Sequence, residues 1–80
     1  MYNNGMNIFE YELLRLELKA HNYTILDIVE TDQTTDGISY KVCRVELVEY
    51  IEDYTLLLAI EKHIKASIGW YNQNIILELL

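Results

Sequence analysis

The chain has no proline, one cysteine, three glycines and only six basic residues among 80. Each scarcity removes a class of explanation. A single cysteine forbids an internal disulfide, and neither a Cys-x-x-Cys pair nor a Gly-x-Ser-x-Gly elbow is present. The glycines stand alone at positions 5, 37 and 69, so there is no glycine-rich phosphate loop. Six Lys and Arg against 13 Asp and Glu leave a net charge of -7 and a pI near 4.5. Affinity for a phosphate backbone comes largely from Lys and Arg, so direct nucleic-acid binding is disfavoured. No apolar run reaches the 18 or more residues of a membrane span. Met1 to Asn7 lacks the basic start and apolar core of a signal peptide, so the expected location is cytoplasmic, with Cys43 reduced.

What is present suits a small folded domain. Hydrophobic residues make up 51% of the chain, Tyr occurs seven times, and mean hydropathy is +0.01. Eighty residues allow one domain, 1–80, with Met1 to Met6 expected to be flexible because Asn3, Asn4 and Gly5 favour turns. A domain this small buries little more than ~60% of its unfolded surface. Without a disulfide or an evident metal site, dense packing or self-association has to supply support.

The order of elements reads helix, strand, strand, helix, strand. Asn7 with Glu10 three residues later forms a capping-box pattern, and Ile8 to Ala20 contains strong helix formers without a breaker. Two apolar stripes run along this helix. Phe9, Leu13, Leu16 and Ala20 form one; Tyr11, Leu14 and Leu18 form the other. Tyr23 to Thr31 reads as a strand, Asp32 to Gly37 as a turn centred on Asp36-Gly37, and Ile38 to Tyr50 as a longer strand. The apolar phase changes twice in that strand, which suggests a bulge or cover on both faces. A second helix is expected to open at Glu52 or Asp53, bury Leu57, Ile60, Ile64 and Ile68, and stop at Gly69. Trp70 to Asn74 reads as a turn. Ile75 to Leu80 reads as a closing strand, with a helix stub as the alternative.

These elements predict an α+β fold of order α-β-β-α-β: an antiparallel sheet with two helices packed on one face. The expected core comprises Phe9, Leu13, Leu16, Ile25, Val45, Leu57, Ile60 and Ile64. The second stripe of the first helix and the C-terminal leucines are then in surplus. Large apolar patches are unusual on monomers, so Tyr11, Leu14, Leu18, Leu77 and Leu79 are expected to form a homodimer or complex interface.

Catalytic and metal chemistry find little support. His21 and His63 would need to be brought together with a carboxylate such as Asp27 or Glu61 to hold a metal, and neither has a second ligand of the right type at i+3 or i+4. Cys43 sits among Val42, Val45 and Leu47, and Arg44 points to the opposite strand face, so an inert buried thiol is expected. The Asp32 to Gly37 turn resembles the start of a calcium loop, but its twelfth position is Cys43 where an acidic ligand is required. No cofactor, no metal and no enzymatic activity are expected.

The acid is the remaining signal. Glu46, Glu49, Glu52 and Asp53 cross the strand-to-helix junction beside Tyr50 and Tyr54. Asp27, Glu30, Asp32 and Asp36 follow the first hairpin. A solvated face that keeps an apolar chain soluble explains this pattern. A functional surface explains it too, with Asp27, Glu30, Glu46, Glu49, Tyr50, Glu52, Asp53 and Tyr54 binding a basic protein that normally handles nucleic acid. In size, acidity and mixed topology the chain resembles the short proteins that phages and mobile elements use against host nucleases, such as anti-CRISPR proteins. That resemblance is compositional and assigns no role to any residue. It implies a nucleic-acid mimic acting as an inhibitor. The alternative is a structural or assembly subunit that forms a homo-oligomer through its surplus apolar surface; a small-ligand site lined by Tyr at a dimer interface is a weaker third.

Overall fold

A computed structural model describes residues 5–79. Helix α1 spans Ile8–Ala20 and begins as its capping box dictates. The Asn7 side chain accepts from Glu10 N at 2.9 Å, and Glu10 Oε1 accepts from Asn7 N at 3.0 Å. The helix ends in a left-handed residue, Asn22 (φ 67°), with Asn22 N donating to Lys19 O and Tyr23 N to Leu18 O.

Strands β1 (Ile25–Thr35) and β2 (Ile38–Leu47) form an antiparallel hairpin. Its two-residue turn is Asp36-Gly37, and both residues have positive φ, at 53° and 78°, as a tight hairpin turn demands. The segment Asp32 to Thr35, read from sequence as turn, is strand. The bulge expected in the second strand is not there; a bulge lies instead in β1, where Leu26 is the extra residue between Ile25 and Asp27. In β2 the ladder is continuous. Its first phase change arises because Ile38, Tyr40 and Val42 face away from the helices, whereas Cys43, Val45 and Leu47 face them; Val48 and Tyr50 lie beyond its end.

Helix α2 (Tyr54–His63) is capped by Asp53, whose carboxylate accepts from Thr55 N at 2.9 Å and Thr55 Oγ1 at 2.6 Å. It stops before the sequence pattern does. Ile64 is already extended, and Ala66–Tyr71 forms strand β3, which turns through Asn72 (φ 52°) and Gln73 into β4 (Asn74–Leu79). The expected order of elements therefore holds, with β3 added between α2 and the closing strand. Ile68 and Gly69 belong to that strand and not to the helix. The sheet order is β1-β2-β4-β3, antiparallel throughout.

One face of this sheet carries the core. Cys43, Val45 and Leu47 of β2 lie on it with Ile75, Leu77 and Leu79 of β4, against Leu14 and Leu18 of α1 and Leu56, Leu57 and Ile60 of α2. Ile64 and Met6 complete it. Among the described residues, no helix covers the other face. The expected core is corrected at α1: its two stripes exchange roles. Leu14 and Leu18 are buried and Tyr11 packs against them, whereas Phe9 (76% exposed) and Leu16 (62%) face outward and Leu13 is half-buried. Leu77 and Leu79 are likewise interior. Of the five residues assigned to an oligomer interface, Leu14, Leu18, Leu77 and Leu79 are therefore interior in the single chain, and Tyr11 is half-buried against them.

The flexible start is corrected in part. Positions 1–4 lie outside the described residues. Met6 is buried, and its N–H donates to Glu30 Oε1 at 2.9 Å. Gly5 (φ 97°) lies so close to Glu30 that a Cβ there would sit 2.6 Å from Glu30 Oε2. Leu80 also lies outside the described residues. No helix in the described chain is long and apolar enough to cross a membrane.

Candidate protein-interaction surface

The acidic residues divide into those that build the fold and those left to solvent. Glu30 belongs to the first group. Besides Met6 N, it is hydrogen-bonded to the Tyr11 hydroxyl; burial, and then this bond, hold Tyr11 well above the usual phenol range. Glu49 accepts from Thr24 N at 2.6 Å, a bond that lowers its pKa. Asp53 caps α2 and meets His21 Nδ1 at 2.7 Å. A carboxylate only accepts, so the imidazole donates. The Thr55 and His21 bonds hold Asp53 at about 2.

Asp27, Glu46 and Glu52 form the second group. Asp27 and Glu46 are register partners on the uncovered sheet face, so two carboxylates stand directly opposite each other. Like charges in that position repel. Arg44 lies two residues along on the same face, but neither acid forms an ion pair with it among the described residues. Glu52 is exposed, with Tyr50 (62%) and Tyr54 (67%) on either side.

The loop that carries Tyr50 and leads into α2 at Tyr54 is held from within. Ile51 N donates to Asn72 O, Glu52 N to the Tyr23 hydroxyl, and Gln73 Nε2 to Leu47 O and Val48 O. Tyr54 packs edge-on against Trp70, with ring centroids 4.9 Å apart. The structure thus brings Glu46, Tyr50 and Glu52 to the same end of the sheet as Asp27, while Tyr54 lies with Trp70 on the helix side at the β3 edge. Glu30 is on the helix side, and Asp32 pairs there with Lys41 at 2.8 Å.

A feature that spacing did not reveal is the meeting of the two histidines. Glu17 reaches His63 Nε2 at 3.5 Å and His21 Nε2 at 3.8 Å, and His21 continues to Asp53. The chain Asp53–His21–Glu17–His63 clamps α1 to α2. The bridging carboxylate is Glu17, not the Asp27 or Glu61 considered from sequence. No group of three or more His, Cys, Asp or Glu among the described residues is arranged to hold a metal. Nor does the clamp present a nucleophile: Thr55 Oγ1 donates its hydrogen to Asp53. Cys43 is fully buried, and burial, with Glu30 nearby, pushes its thiol up to about 11. No known protein family, characterised protein or solved structure matches the chain.

Proposed function

We propose that the protein is a small, non-enzymatic protein-interaction module that offers an acidic, tyrosine-edged surface to a basic, nucleic-acid-handling partner. The observation that carries this reading is the Asp27–Glu46 pair. Two carboxylates set opposite each other on an uncovered face cost stability unless a cationic surface meets them. Tyr50 adds an aromatic anchor on a loop already fixed by hydrogen bonds, and Tyr54 adds another at the start of α2, so little ordering is lost on binding. An inhibitor that competes with nucleic acid, of anti-CRISPR type, is the form of this function that the composition suits.

The test uses Asp27→Lys with Glu46→Lys, since these acids hold no other element in place. Glu49 and Asp53 are unsuitable because reversing them breaks a strand-entry bond and a helix cap. Immobilised protein is expected to retain a partner at low salt, to release it at high salt or on addition of duplex DNA, and to lose it in the double variant. Retention by the charge-reversed protein would sink the proposal. The alternative reading, an assembly subunit, gains support from a different part of the molecule, the β3 edge.

A further inference from the structure

The sheet has two edges, and they differ. The β1 edge carries Asp27, Glu30 and Asp32 and the Leu26 bulge, devices that keep an exposed strand from pairing with another chain. The β3 edge carries none. Ala66–Tyr71 has no charged residue, no proline and no irregularity in its ladder to β4, and it is the one strand of the four without a charge. Among the described residues, no hydrogen bond from outside the sheet reaches the backbone of 66–71. Its outer peptide groups are therefore open to an added strand. Ser67, Gly69, Trp70 and Tyr71 are exposed along it.

We propose that this edge pairs antiparallel with β3 of a second copy, about a two-fold axis through Gly69, to give a continuous eight-stranded sheet. Residues opposite each other must share a face, and a two-fold normal to the sheet preserves faces, so the axis has to pass through a residue and not between two. With Gly69 on the axis, Ile68 stands opposite Trp70 of the other copy on the helix side, and Ser67 opposite Tyr71 on the uncovered side. Aliphatic–aromatic cross-strand pairs of this kind are favourable.

Charge selects a second copy as the occupant. Exposed Lys62 and Lys65 precede β3. At the opposite end, Glu52 follows Ile51, whose N–H donates to Asn72 O of the β3–β4 turn at 2.8 Å, whereas Glu49 is turned away toward Thr24 at the entry to β1. Antiparallel pairing sets the lysine end of one copy beside the acidic end of the other, twice. A chain with a net charge of -7 repels its copies over most of its surface, and this edge is where opposite charges meet. The proposal does not depend on the Asp27–Glu46 pair, which sits across the sheet on β1 and β2.

The full-length protein is expected to sediment at micromolar concentration with twice its 9.5 kDa mass. A Cβ at Gly69 meets nothing within 4 Å, so Gly69→Lys should keep the monomer fold and far-ultraviolet circular dichroism while placing two lysines face to face on the axis. It is expected to sediment at 9.5 kDa, as is Gly69→Glu. An equimolar mixture of the two variants should recover the dimer, because Lys then faces Glu. Should Gly69→Lys fail to fold, Ser67→Lys, at an already exposed position of the same strand, replaces it. A wild-type protein of single mass, or a dimer that survives both lysine variants, overturns the proposal. A mixture that stays monomeric overturns the Gly69 register.

Discussion

At the scale of single residues, the buried side chains of α1 carry the argument. Leu14 and Leu18 are sealed in the core, while Phe9 and Leu16 lie on the opposite side of the same helix. Leu18→Ala should cost roughly 2–5 kcal/mol, whereas Leu16→Ala should fall within about 0.5 kcal/mol of the wild type. Chemical denaturation of both variants distinguishes them; equal losses would contradict the exchange of stripes. Asp53 supplies a pH dependence. Its pKa is depressed from 3.8 to about 2 in the folded protein, so it favours folding above pH 4, and that contribution fades as pH falls toward 2. Asp53→Asn should lower the melting temperature at pH 6 and flatten its fall between pH 4 and 2. These roles were only half legible in the sequence. The capping box of α1 needs residues three apart and could be read directly. The choice between two equally apolar stripes could not, because it is made by β2 and β4, dozens of residues away. The bond from His21 to Asp53 spans 32 positions and leaves no local trace.

At the scale of elements, the hairpin and β3 show where local pattern suffices and where it fails. Asp36-Gly37 specified its turn because both residues must adopt positive φ. β3 was hidden because Ile60, Ile64 and Ile68 continue a helical spacing and Gly69 resembles a helix stop. Pairing with β4, which lies later in the chain, overrides that local preference and draws Ala66 to Tyr71 into the sheet. The hairpin also outruns the body of the protein. β4 pairs with β2 only from Val42 to Glu46, and residues 31–39 are all exposed. A two-stranded ribbon without a third strand is marginal in water. Hydrogen exchange should therefore release the amides of Gln33 to Tyr40 well before those of Cys43 to Glu46. Uniform protection along β2 would show that the ribbon is supported in some other way.

At the scale of the whole molecule, a single core unites both helices with the sheet, and Cys43 lies in it without solvent contact. Its thiol, pushed up to about 11, is neither accessible nor ionised at neutral pH. Alkylation at pH 8 should be negligible in the native protein and should rise with denaturant along the same curve as the loss of circular dichroism. Labelling that runs ahead of unfolding would reveal a separate opening of the sheet. The α+β class and the placement of both helices on one face were readable because small amphipathic elements have few ways to bury their apolar sides. The division of the acid was not readable. Glu30, Glu49 and Asp53 serve the fold, Asp27 and Glu46 confront each other, and sequence lists all five alike.

The inequality of the two sheet edges also governs how far assembly can run. Joining two copies through β3 consumes the unguarded edge of each. What remains outermost on both sides is β1, with its bulge and its carboxylates. A third chain would meet the guarded β1 edge on either side, so the proposed assembly is expected to stop at two and not to grow into a fibre.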